Sequence, residues 1–122
     1  MKQPLAYIHP EAKVAKNVVI EPFTSIDKNV EIGEGTWIGS NVIIMEGARI
    51  GKNCIVNSKA LVEHDVIIGD HCHIATGAIL NGQVRAGNEI FFGSGVVIKQ
   101  SVSIGDKCVI GLGIVIKKDF LI

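Results

Sequence analysis

Apolar residues recur at every sixth position of this chain. Stepping from Ile8, the positions read Ile8, Val14, Ile20, Ile26, Ile32, Ile38, Ile44, Ile50, Val56, Val62, Ile68, Ile74, Leu80, Ala86, Phe92, Ile98, Ile104, Ile110, Ile116 and Ile122, without a polar residue among them. Two residues ahead of each lies a second series, running from Ala6, Ala12 and Val18 through Thr24, Thr36, Cys54 and Cys72 to Ile114, which stays small or β-branched until it ends in Phe120. Directly after the large aliphatic position glycine returns at Gly33, Gly39, Gly51, Gly69, Gly87, Gly93, Gly105 and Gly111, where a chain must turn tightly or bring backbones close. A fixed six-residue period marks a solenoid, with each hexad one short strand and a corner. No window carries a 3.6-residue apolar period, so no helix is predicted. The predicted organisation is a single domain over 1–122, with 1–7 capping the first coil and hexapeptide repeats over 8–122. If three hexads close a coil, there are about six coils, forming a prism on the order of 30 Å long.

Away from the frame, segments such as DKNVEIGEGT and MEGARIGKN in the first half place charged and polar residues outward, and these read as solvated faces and corners. The hydrophobic share of 48% is ample for a core in one domain of 122 residues. A formal net charge of zero gives a nucleic-acid partner no electrostatic support. No apolar run approaches the ~18 residues that span a bilayer, and MKQPLAYIHP has no apolar leader, so the expectation is a cytoplasmic protein with no membrane partner. Cys54, Cys72 and Cys108 occupy the small inward position. In three-hexad coils Cys54 stacks on Cys72 within disulfide distance, but the preferred reading is buried reduced thiols, since small apolar side chains are what that slot takes.

The hexad frame with its aliphatic, glycine and small positions resembles the hexapeptide-repeat acyltransferases. The resemblance implies an all-β fold, a single-stranded left-handed parallel β-helix with triangular coils of about eighteen residues; its hand departs from the usual right-handed crossover. Residues 4–54, with IHPEA, IEPF and GARIGKNC, resemble the start of the UDP-N-acetylglucosamine O-acyltransferases of lipid A synthesis. The catalytic histidine of that family lies beyond the matched region. Residues 55–119, through VEHDVIIGDHCHIATGAILNGQV and GSGVVIKQSVSIGDKCVIGLGIVIKKDF, resemble the sialic acid O-acetyltransferases and bacillosamine-type UDP-sugar N-acetyltransferases. The change near 54–56, across an unbroken frame, reads as a mosaic junction, as in an engineered chimera or a minimised β-helix. Members of the second group begin with a nucleotide-sugar-binding α/β domain and continue into a further C-terminal strand; the expectation is that this chain carries neither.

His64 lies two residues after the inward Val62, so the frame turns it outward, and eighteen residues on stands Gly82. The resemblance makes His64 the general base, with an acidic neighbour orienting it: Asp65 first, Glu63 second. It makes the Gly82 N–H the donor to the developing oxyanion, and it places His73 against the cofactor near its thioester. With Gly82, the bare positions Gly95 and Gly113, beside Gly93 and Gly111, would leave room for a pantetheine arm, and Lys117 and Lys118 would reach cofactor phosphates. The implied activity is acetyl-CoA-dependent acyl transfer to an amino or hydroxyl group of a nucleotide-linked sugar by a homotrimer with sites between subunits. Carbonic-anhydrase relatives of this fold bind zinc through a histidine five residues before the position of His64, which here is Lys59, so no metal is expected. Blander readings stand beside these: a solvated surface histidine at His64, His71 or His73, corner requirements at the glycines, and an N-terminal turn at His9. At the level of the whole chain, a β-helix scaffold without activity and an acyl-carrier-protein-dependent UDP-N-acetylglucosamine acyltransferase remain as alternatives.

Overall fold

A computed structural model describes residues 5–121. Four residues of the expected N-terminal cap and the last position of the frame, Ile122, lie outside that range. The chain is a left-handed parallel β-helix. Two-residue strands recur every six residues from Tyr7–Ile8 to Val115–Ile116 and distribute in turn over three sheets, A, B and C. Sheet A holds Tyr7–Ile8, Ser25–Ile26, Ile43–Ile44, Leu61–Val62, Ile79–Leu80, Val97–Ile98 and Val115–Ile116. Sheet B holds Lys13–Val14, Glu31–Ile32, Arg49–Ile50, Ile67–Ile68, Arg85–Ala86 and Ser103–Ile104. Sheet C holds Val19–Ile20, Trp37–Ile38, Ile55–Val56, His73–Ile74, Phe91–Phe92 and Val109–Ile110. Neighbours in a sheet are eighteen residues apart and parallel, as in Leu61 opposite Ile79 and Trp37 opposite Ile55. The register passes through 54–56 without a slip.

In each strand the second residue points inward, which is the large aliphatic series of the frame. Ile26, Ile38, Val62, Leu80, Phe92 and Ile98 are fully enclosed. The small series fills the corners of the triangle, and its polar members are satisfied there. The hydroxyls of Thr24 and Thr36 donate to the carbonyls of Gly39 and Gly51, at 2.7 and 2.8 Å. Cys54 and Cys72 use the same device, their thiols donating to Gly69 O and Gly87 O at 3.2 Å. All three cysteines are free and buried; the contact with the Cys54 thiol and burial push the Cys72 thiol well above its ordinary range.

The glycines after the aliphatic positions do not make the turns; they allow coils to approach. A Cβ on Gly51 would strike Gly69 O and Asp70 Oδ1, because Asp70 reaches back one coil to accept the Lys52 N–H at 2.9 Å. Asn88 and Asp106 repeat the contact on the Asp70 and Asn88 N–H groups, at 2.7 and 2.8 Å. The turning itself falls on a third six-residue series, Asn17, Phe23, Asn29, Gly35, Asn41 and onward to Gly113, whose members all have φ between +53° and +77°. Asn, Asp and Gly dominate that series because they tolerate the left-handed region.

Two features depart from the sequence reading. The frame holds through Ile116, but Ile104 pairs with Phe120 in place of position 122, so the last corner is two residues short. A phenyl ring does not fit the small corner position, and Phe120 remains 42% exposed. The outer residues are also less polar than expected. Sheet A presents Tyr7, Ser25, Ile43, Leu61, Ile79, Val97 and Val115, and sheet C presents Val19, Trp37, Ile55, His73, Phe91 and Val109. Only sheet B, with Lys13, Glu31, Arg49, Ile67, Arg85 and Ser103, carries a charged outer face. No helix of the described residues is long and apolar enough to cross a membrane.

Candidate functional site

His64 and Asp65 occupy the corner that leads from sheet A to sheet B. Along this edge, one coil apart, stand Lys28, Glu46, His64, Gly82 and Gln100. Asp65 belongs to the turning series, with φ of +58°, so its side chain leaves the corner beside the imidazole. Its Oδ2 lies 3.2 Å from His64 Nδ1, whereas Glu63 makes no bond to the ring among the described contacts. Two glycines make room for this pair. A Cβ on Gly47, one coil earlier, would collide with Asp65 Oδ1, and a Cβ on Gly82, one coil later, would lie 2.5 Å from His64 Nε2. The carboxylate thus rests over Gly47 and the ring over Gly82. With a carboxylate on Nδ1, the favoured neutral tautomer carries its proton there and leaves the lone pair on Nε2. The two side chains remain open to solvent, at 49% and 60% exposure.

The Gly82 N–H has no acceptor among the described residues. At the equivalent corner three coils earlier, Asp27 Oδ1 accepts the Lys28 N–H at 2.7 Å. Asn81 occupies the place of Asp27 but is turned into the sheet, where its Nδ2 donates to Ile98 O at 2.9 Å. A donor is therefore left free under the imidazole. Gly82 is buried, a correction to the sequence reading of an exposed amide open to a thioester carbonyl, and the His64 ring lies against its α-carbon.

His73 lies elsewhere. It is an outward residue of sheet C, half-buried between Ile55 and Phe91 in the strand register, with its ring edge-on to Phe91 at 5.2 Å. Its Nε2 is enclosed without a hydrogen-bond partner. Gly95 and Gly113 sit at the corner from sheet C to sheet A, aligned with Gly77. All three have left-handed φ of 71–73°, and nothing lies within 4 Å of a Cβ built on any of them. Their residue type follows from the turn, while the space beside them is open. Within one chain, then, His64, Asp65 and Gly82 come together, and His73, Gly95 and Gly113 do not join them. Lys118 returns to the A-to-B edge, beyond Gln100 on the line of His64. His71 is a turning residue with φ of +58°, and His9 accepts the Glu11 N–H at 2.9 Å within the N-terminal turn; both types of position explain a histidine without chemistry. No cluster of His, Cys, Asp or Glu among the described residues has the arrangement to hold a metal ion.

Sequence reasoning missed the groove beside the dyad. An open trough of about 580 Å³ runs along the A-to-B edge and sheet B, lined by Lys13, Glu31, Glu46, Gly47, Arg49, His64 and Asp65 among others. A smaller one of about 280 Å³, bounded by Gly47, Arg49, Asp65, Ile67, Gln83 and Arg85, continues it toward the C-terminal coils. The signal was available in the alternation of charges every eighteen residues, visible once the coil length is known.

Residues 2–98 match a family described as the GMPPB C-terminal domain, a stretch that crosses 54–56, and residues 83–118 match the hexapeptide repeat of succinyl-transferase. Comparison with curated proteins finds no match. Among solved structures, the chain is similar to WeeI from Acinetobacter baumannii AYE, with 32% identity, a TM-score of 0.74, and 87% of this chain and 50% of that one covered. The acetyltransferase domain of PglB from Neisseria gonorrhoeae has 30% identity and a TM-score of 0.72, over 94% and 50% of the two chains. A GDP-perosamine N-acetyl transferase mutant from Caulobacter crescentus, in complex with CoA and GDP-perosamine, superposes with a TM-score of 0.86 at 19% identity, over 91% and 52%; that likeness is one of fold. The chain spans about half the length of each of these structures.

Proposed function

The chain belongs to the GMPPB C-terminal domain family, within the hexapeptide-repeat acyltransferase superfamily, and from that footing we propose that it is an acetyl-CoA-dependent acyltransferase acting on an amino or hydroxyl group of a nucleotide-linked sugar. The observation that carries the reading is the corner at His64: an imidazole held by a carboxylate, its Nε2 free, above a backbone N–H that has no acceptor. The likeness to an acetyltransferase domain at 30% identity supports the donor.

In this reading Asp65 holds the Nδ1–H and orients the ring. His64 swings off Gly82, and Nε2 takes the proton of the acceptor amine or hydroxyl as its nitrogen or oxygen bonds to the acyl carbon. The uncovered Gly82 N–H donates to the carbonyl oxygen while negative charge develops there. The thiolate of the donor leaves and recovers the proton from His64. Acetyl-CoA supplies the acyl group as co-substrate, its arm laid along the bare Gly95 and Gly113 corner and against His73, its phosphates toward Lys117 and Lys118. Since that corner and His73 are separated from His64 within one chain, the site is assembled between subunits of a homotrimer whose apolar sheets A and C face neighbouring copies.

Calorimetry with acetyl-CoA, followed by a transfer assay on UDP- and GDP-linked amino sugars, tests the reading. Saturable binding and transfer are expected, with His64→Ala lowering transfer by about 10² to 10⁴ at unchanged thermal stability. An unaltered rate in that variant removes His64 from the mechanism. Absence of any cofactor binding by the parent leaves a β-helix scaffold without chemistry.

A further inference from the structure

We infer that sheet B carries a diphosphate-binding subsite, formed by Arg49 and Arg85 on either side of Ile67, that holds the nucleoside diphosphate of the acceptor beside His64. The inference rests on the functional reading for its purpose and on separate residues for its geometry. Arg49, Ile67 and Arg85 are outward residues in direct register in three successive coils, so the two arginine α-carbons stand about 10 Å apart. Two guanidinium groups reaching inward over that span bracket the width of a diphosphate, each presenting a planar fork suited to phosphate oxygens. Neither guanidinium has an ion-pair or hydrogen-bond partner among the described residues. Of the carboxylates around them, Glu31 stands one coil before Arg49 in direct register without an ion pair to it, and Asp65 is committed to His64. Both arginines line the trough that continues past Asp65, and Ile67 between them offers an apolar floor.

The surroundings limit the length of the anion. Toward the N-terminal coils the trough meets Glu46, Glu31 and Glu11, three carboxylates against the single cation of Lys13 in register with Glu31, a net negative stretch that disfavours continuation of a phosphate chain, and toward the C-terminal coils the next outward residue of sheet B is the neutral Ser103. A pair of phosphates fits between these limits, and a nucleic-acid backbone does not. Sheet B is also the one face whose outer residues are charged, so it stays open to solvent when the apolar faces associate. The geometry separates the two substrates: the acceptor diphosphate lies on sheet B, and the donor approaches along the corners.

The test is calorimetric titration of the full chain with inorganic pyrophosphate and with UDP, against Arg49→Gln, Arg85→Gln and, as a charge control on an exposed corner away from the trough, Lys107→Gln, each checked by circular dichroism. Both probes are expected to bind the parent, each arginine variant to weaken them by roughly tenfold or more, and Lys107→Gln to leave them unchanged. Because no acyl transfer is read, this outcome stands or falls independently of catalysis. Failure of the parent to bind either probe overturns the subsite, as does parental affinity in both arginine variants. Titration with adenosine 3′,5′-bisphosphate, the nucleotide end of coenzyme A, distinguishes the donor: if the arginine changes weaken that ligand and spare UDP, the arginines serve the cofactor and the assignment to the acceptor is wrong.

Discussion

Two histidines that look alike in the sequence have opposite surroundings. His64 has one nitrogen bonded to a carboxylate and the other open; His73 has its Nε2 enclosed without a partner, in a column of apolar side chains. A buried polar atom without a hydrogen bond costs about 1–3 kcal/mol. His73→Leu is therefore expected to raise stability by about 1 kcal/mol in chemical denaturation, whatever it does to cofactor affinity. At Gly82 the expectation is reversed. A methyl group there meets His64 Nε2 at 2.5 Å, and since the colliding atom is the tip of a half-exposed side chain the fold yields easily. Gly82→Ala should lower transfer by about 10²-fold through loss of the oxyanion donor's access, with little change in melting temperature. The sequence reading ranked Asp65 ahead of Glu63 by adjacency, but the geometry that favours Asp65 was not legible. It depends on the left-handed φ at Asp65 and on the space over Gly47, one coil away.

At the scale of the strand and corner, the hexad frame shows which glycines carry structure. Gly51 and Gly111 hold the same place in the repeat, directly after a large aliphatic residue. A Cβ on Gly51 would collide with the Gly69 carbonyl and the Asp70 carboxylate, whereas on Gly111 the nearest atom is 3.9 Å away. Gly51→Ala is expected to cost about 2–3 kcal/mol and Gly111→Ala close to nothing, as measured by parallel thermal denaturation; equal losses would show that the coil contact at Gly51 is relieved elsewhere. The strands themselves were fully legible, because two-residue strands with one inward position imprint a strict period. The turning series was legible only in part: Asn17, Asn29, Asn41 and Asn53 suggest it, but Phe23, Lys59, Gln83 and Glu89 occupy the same left-handed positions without a residue type that announces them.

For the whole molecule, the contrast among the three faces supports the proposed trimer. Contiguous exposed apolar surface marks an interaction site, and here it covers sheets A and C, including Ile43, Ile55, Phe91 and Val109. Light scattering is expected to give three times the 13.0 kDa of the chain. Ile79→Asp on sheet A and Ile55→Asp on sheet C should dissociate the trimer, and Ile67→Asp on sheet B should not. A parent that scatters as a stable monomer removes the intersubunit site, and with it the role given to His73, Gly95 and Gly113.

The sequence by itself determined the six-residue repeat, the inward and outward sides of every strand and the place of His64 outside the core, because each follows from a local period of six that the chain repeats without interruption to Ile116. Only the tertiary structure decided what meets across coils. The seating of Asp65 over Gly47 and of His64 over Gly82, the contact of His73 with Phe91 and the early return of Phe120 to Ile104 all join residues sixteen to eighteen positions apart. Such contacts depend on rotamers and backbone angles in separate coils, which a pattern of apolar positions does not encode.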